Sequence, residues 1–143
     1  MQLNVKIKKL SEHSVIPKYS YIGDAGMDVT CIDRIITKDY VEYKTGLAIK
    51  VPEGYAGFLF PRSSVSKKDL LLCNSVGILD SNYIGEICFR YKHIATSSPL
   101  NIYEIGDRVG QIIIMPIPRI TFEEVDELSE TERGIGGFGS TGI

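Results

Sequence analysis

Asp80 is a lone carboxylate placed directly after the apolar run Val76-Gly77-Ile78-Leu79 and three residues before an aromatic, Tyr83. A carboxylate at the lip of a pocket can hold and activate a water, and a ring beside it can pack on a ligand. Apolar residues flank the stretch Asn74 to Glu86 on both sides, with Ser81 and Asn82 at its centre. That pattern predicts two strands joined by a tight turn, with Asp80 at the edge and Tyr83 over it. Alone, an Asp beside an Asn is equally a local turn former.

Four further clusters suit other parts of a nucleoside triphosphate. The tail Arg133-Gly-Ile-Gly-Gly-Phe-Gly-Ser-Thr-Gly-Ile143 exposes many backbone N–H groups, and Arg133, Ser140 and Thr141 add donors fitting polyphosphate oxygens. It is not a Walker A loop, because no Lys precedes the Ser-Thr pair. Phe138, an aromatic among glycines, is suited to stacking. Arg62-Ser63-Ser64 reads as the start of one short helix capped by Ser63 or Ser64, where a guanidinium, hydroxyls and free N–H groups meet an anion. In Gly106-Asp-Arg-Val-Gly-Gln111, Gln111 can donate to a phosphoryl oxygen. Asp28, in Ala25-Gly-Met-Asp28, can hold Mg²⁺ directly or through water. Phosphoryl chemistry needs positioning and charge neutralisation more than a covalent nucleophile, and no Cys–His or Ser–His nucleophile pattern is present.

The elements that must position these groups are short and strand-like. Gln2 to Lys8 alternate, with Leu3, Val5 and Ile7 on one face. Further strands are expected at Val29 to Ile32, Arg34 to Thr37, Thr45 to Val51, Tyr55 to Phe60 and Leu70 to Leu72. More follow at Ile87 to His93, Asn101 to Glu104, Ile112 to Met115 and Ile120 to Val125, before the acidic stretch Glu123 to Glu132. With one short helix and no repeat, the chain reads as an all-β barrel or double-sheet fold.

The chain has 143 residues and a formal net charge of −2, so it fits one domain with a core and offers no basic field to nucleic acid. Its longest apolar run is too short to span a bilayer. Cys31, Cys73 and Cys88 show no CxxC spacing and read as reduced thiols in a cytoplasmic compartment. His13 and His93 are far apart, which argues against zinc.

In order and spacing, Ala25 to Asp28, Pro61 to Ser64, Asn74 to Gly85, Gly106 to Gln111 and Arg133 to Gly142 resemble the five motifs of the trimeric dUTPases. The resemblance covers essentially the whole chain. It implies a jelly-roll-like β-barrel subunit over residues 1–132, assembled as a homotrimer, with residues 133–143 as an arm closing over a neighbour's site. The implied reaction is Mg²⁺-assisted attack of water on the α-phosphate of dUTP, giving dUMP and pyrophosphate. That reaction keeps uracil out of DNA and supplies dUMP for dTMP synthesis. By the same resemblance Asp80 activates the water, Asn74 and the Gly77 backbone read uracil, and Tyr83 packs on the deoxyribose. Arg62, Ser63, Ser64 and Gln111 hold phosphates, and Asp28 reaches the metal through water. Arg133, Gly139, Ser140 and Thr141 close on the γ-phosphate end, and Phe138 stacks on uracil. Asp107 and Arg108 are expected to form a structural ion pair. A nuclear setting or a phage- or virus-infected cell fits the resemblance as well as cytoplasm. The related dCTP deaminases share the fold, but the Asp80–Tyr83 pair and the Phe138 motif favour the hydrolase. A regulatory protein partner, sensing an arm ordered by dUTP, is a further expectation.

Overall fold

The computed structural model describes residues 2–94 and 99–142, so Met1 and Ile143, the outermost residues of the expected core and arm, lie outside the described residues. The structure is all-β and jelly-roll-like, as expected. Its strands are β1 (Lys6–Lys9), β2 (Met27–Thr30), β3 (Asp33–Ile36), β4 (Tyr40–Lys44), β5 (Leu47–Lys50), β6 (Tyr55–Phe60), β7 (Leu70–Leu72), β8 (Gly77–Leu79), β9 (Cys88–His93) and β10 (Arg108–Pro116). They form three sheets with the orders β1-β5, β2-β10-β6-β8 and β3-β4-β9-β7. All recorded pairings are antiparallel. Among the described residues no helix is long and apolar enough to cross a membrane.

Alternation explains most of the strands. In β9, Phe89 and Tyr91 point inward while Arg90 and Lys92 face solvent, and in β4 Val41 and Tyr43 are buried. The four-stranded sheets enclose a core that includes Val29, Val41, Leu59, Phe89, Val109 and Ile112. Tyr43, Tyr91 and Tyr103 meet edge to face, with ring centroids 5.9–6.0 Å apart. Two of these buried hydroxyls are satisfied by carbonyls: Tyr43 donates to Tyr103 O at 3.0 Å and Tyr91 to Val109 O at 2.6 Å. Burial pushes both phenols above their ordinary range. Thr45 is buried, donates to Ile87 O at 2.7 Å and accepts from the Leu47 N–H at 3.2 Å, which ties the β4–β5 corner to the start of β9.

Several sequence expectations change. Strand β4 was not anticipated, although Tyr40-Val-Glu-Tyr-Lys44 alternates cleanly. Asn101 to Glu104 is not a strand. Instead Asn101 exchanges hydrogen bonds with Asp69, at 2.8 Å to its carboxylate and 2.8 Å from its N–H. The predicted hairpin around Asp80 is a turn without a second paired strand. The Tyr83 N–H does bond Asp80 O at 3.0 Å. However, β8 pairs with β6, and the chain then crosses to β9 in the other sheet. The expected helix is a five-residue 3-10 helix, Ser63–Lys67, with Arg62 at its N-cap and no side-chain cap. Ile120 to Val125 is not a core strand either. The chain leaves the sheets after β10, and Ile120 and Phe122 are 70% and 93% exposed. Their apolar faces have no partner surface among the described residues, so period-2 patterning there does not produce a paired strand.

Gly110 of β10 sits against the buried Phe89 ring, where an added Cβ would collide with it. Gly110→Ala is therefore expected to cost about 1–3 kcal/mol by overpacking, read as a lower urea midpoint at unchanged slope.

Candidate active site

The turn after β8 forms the rim of a cleft of about 720 Å³ whose lining includes Asn74, Gly77, Asp80 and Tyr83. The sequence-predicted nucleoside residues therefore do meet. The route into this cleft is strained. Ser75 has φ 60, and the Val76 N–H bonds Asn74 O at 2.6 Å, a tight turn in a backbone region costly for a non-glycine residue. This turn lets the chain leave β7 in one sheet and enter β8 in the other within a few residues, with Asn74 exposed at the bend. At the far end of β8, Lys50 donates to Ser81 O at 2.7 Å, clamping the turn beside Asp80. Asp80 is exposed and enters none of the ion pairs among the described residues. A free carboxylate there is available to a water.

The phosphate-type residues gather elsewhere. Asp28 on β2 accepts from Arg62 Nε at 2.8 Å and from Arg108 at 3.1 Å, one guanidinium on each carboxylate oxygen. Arg62 also reaches Ser64 Oγ at 3.4 Å. Gln111 faces Asp28 across the β10–β2 register and donates to Pro61 O at 2.9 Å. Ser63 is exposed at the start of the 3-10 helix. The expected Asp107–Arg108 ion pair is not formed. Arg108 turns to Asp28, while Asp107 accepts the Glu104 N–H at 2.8 Å and closes a turn. Sequence reasoning missed Arg108 as a member of this cluster, because only the β10–β2 pairing brings it to Asp28.

The two groups are far apart within one chain. Leu79 pairs with Gly57 near the start of β6, and Asp80 continues past it, level with Ala56. Arg62 follows the other end of β6. Asp28, which holds Arg62, lies level with Gln111 and Phe60, four residues along β6 from Ala56 and three strands across the sheet from β8. At about 3.3 Å per residue and about 4.8 Å per strand the two are roughly 20 Å apart, more than a triphosphate spans. The tail is a third, separate group. Residues 133–142 form successive turns, Arg133 bonds Gly136 O at 2.8 Å within the tail itself, and Phe138 is fully exposed at φ 51. Gly139, Ser140 and Thr141 are exposed with it.

The donor set does not build a metal cage. Among the described residues no group of three or more His, Cys, Asp or Glu could hold an ion. Asp28, the expected carboxylate, is engaged by two arginines. A magnesium ion here fits only as one carried mainly by substrate phosphates and waters.

A cleft with a free carboxylate at its mouth, and a distant cationic cluster of Arg62 and Arg108 on Asp28, are the features an all-β protein that handles anionic ligands would use. Comparison with known proteins narrows this class. The dUTPase family model matches residues 12–142. The chain is 37% identical over 143 residues to the deoxyuridine 5'-triphosphate nucleotidohydrolase of Thermobifida fusca (strain YX), covering 98% of this chain and 79% of that protein. It is 38% identical over 145 residues to the protein of the same name from Hydrogenobaculum sp. (strain Y04AAS1), covering 99% of each. The structure resembles that of Staphylococcus bacteriophage 80alpha dUTPase with dUPNHPP, with a TM-score of 0.84, 27% identity, and 99% and 100% of the two chains covered. It also resembles a dUTPase from phage phi11 of S. aureus, described with a structural Mg(II) ion, at a TM-score of 0.74 and 26% identity over 87% of this chain and 98% of that one. The chain belongs to the dUTPase family.

The cleft also holds two thiols that sequence reasoning left aside, Cys73 and Cys88. Burial, with Glu86 and Glu42 nearby, pushes Cys88 up to about 11, and burial also raises Cys31. Cys73 is exposed. At pH 8, iodoacetamide is therefore expected to label Cys73 first, with Cys31 and Cys88 labelled only after denaturation, as read by peptide mass spectrometry.

Proposed function

We propose that this dUTPase hydrolyses dUTP in a site shared between chains of a homotrimer, with one chain supplying the nucleoside cleft and water and a neighbour supplying the phosphate cluster. The observation that carries this reading is the roughly 20 Å across the sheet between Asp80 and the Asp28–Arg62 cluster. No single chain can place both on one α-phosphate.

The Asn74 amide and the Gly77 backbone read the uracil edge, and Tyr83 lies along the deoxyribose. Asp80 orients a water and takes its proton as the oxygen attacks the α-phosphorus. Pyrophosphate leaves, and dUMP stays in the cleft until release. The neighbour's Arg62, Ser63, Ser64 and Gln111 neutralise and align the phosphates, which is where most phosphoryl-transfer catalysis originates. Asp28 holds Arg62 and Arg108 in place for that purpose. Magnesium, brought with the triphosphate, would add charge neutralisation. Residues 133–143 act as the arm, with Arg133, Gly139, Ser140 and Thr141 at the γ-phosphate end and Phe138 on the base. The exposed Ile120, Phe122, Val125 and Leu128, set among acidic residues, support an arm whose partner surface is another chain. Three free cysteines are in keeping with a reducing, cytoplasmic setting.

Pyrophosphate release is expected from dUTP and not from dTTP, dCTP or UTP. Asp80→Asn should keep binding a non-hydrolysable dUTP analogue while losing about 10²–10⁴ in turnover. Mixing the inactive Asp80→Asn and Arg62→Gln variants under conditions of subunit exchange should restore part of the activity, because mixed trimers contain intact sites. A mixture as inactive as its components would show that each chain completes its own site.

A further inference from the structure

We infer that Gly85 is a specificity-determining residue, whose missing side chain seats the Tyr83 ring and so sets the room left beside the sugar. The inference rests on the reading of Tyr83 as the ring along the deoxyribose. Three observations support it. A Cβ on Gly85 would lie 2.5 Å from the Tyr83 hydroxyl oxygen, 2.6 Å from Cζ and 2.9 Å from Cε2, so the hydroxyl end of the ring occupies the space a side chain there would need. Gly85 is not in the left-handed region, so its backbone does not require glycine and the ring does. Finally, the far end of the ring is tethered, since the Tyr83 hydroxyl donates to Glu86 O at 2.8 Å.

That tether is itself fixed. The Glu86 carboxylate accepts the Gly46 N–H at 2.8 Å, and the next residue, Ile87, bonds Leu47 O through its N–H at 2.8 Å. The acceptor cannot follow a displaced ring. Tyrosine has only two side-chain torsions, so a methyl at position 85 must swing the whole ring about Cβ, and Tyr83 lines the cleft. Gly85 is not among the lining residues. It acts through Tyr83 and is a positioning residue.

The test compares kcat/KM for dUTP and UTP in the wild type, Gly85→Ala, Tyr83→Ala and the double variant, with thermal melting alongside. Gly85→Ala should lower the dUTP-over-UTP preference by about tenfold, the size typical of one methylene in a fitted pocket. The change should fall mainly on KM, with little change in Tm. In the Tyr83→Ala background, adding Gly85→Ala should do nothing more, because the ring it displaces is gone. Additive effects, or a selectivity loss in Tyr83→Ala with none in Gly85→Ala, would overturn the inference while leaving the sugar reading intact. Unchanged selectivity in Tyr83→Ala would overturn both. If Gly85→Ala does not fold, a folded double variant supports the ring as the cause, and an unfolded one refutes it.

Discussion

The antiparallel register of β6 and β8 governs this molecule's chemistry. It ties Leu79 to Gly57 at one end of β6, while Arg62 follows the other end. Strand rise is fixed by backbone geometry, so no side-chain rearrangement can close that gap. The proposed catalytic carboxylate and phosphate cluster, held apart in this way, gain in one respect. The positive cluster cannot collapse onto Asp80, and Asp80 remains unpaired. The cost is that one chain holds only half of each proposed site.

The proposed phosphate cluster has its own internal logic. Arg62 and Arg108 share one carboxylate, Asp28, so the group keeps a net positive charge while both guanidiniums are held in place. Partial burial of Asp28 strengthens these charge-assisted bonds relative to surface pairs. Gln111, anchored on Pro61 O, adds a neutral donor at the same level of the sheet. Order is built in before any anion arrives, which lowers the reorganisation needed on binding.

The proposed nucleoside cleft arises where the chain passes between sheets. The strained Ser75 turn brings it into β8, and the Asp80–Tyr83 turn takes it out again toward β9. The exit is braced from β5 and the β4–β5 corner, by Lys50 on Ser81 O and by the Gly46 N–H on the Glu86 carboxylate. The cleft is thus positioned by the core without being part of it, and the exposed Asn74 and Asp80 can still face a ligand.

Much of this was legible in the sequence. Strand-like residues marked β6 and β7 closely and alternation marked β9, and the polar, glycine-marked clusters named Asp80, Asn74, Tyr83, Arg62 and Gln111 as chemistry-bearing positions. Local residue types carry that information, because turns, alternation and donor or acceptor character are properties of a few adjacent residues. The sequence reading erred where a local pattern met a non-local decision. Ile120 to Val125 has strand-like residues but no strand beside it, and Arg108 has a neighbouring acid but pairs with one eighty residues away. The Asp80 turn has two apolar flanks that join different sheets. Pairing partner, register and the distance between clusters depend on which strands lie side by side. That is set by burial of the whole apolar set at once, so only the tertiary structure decides it.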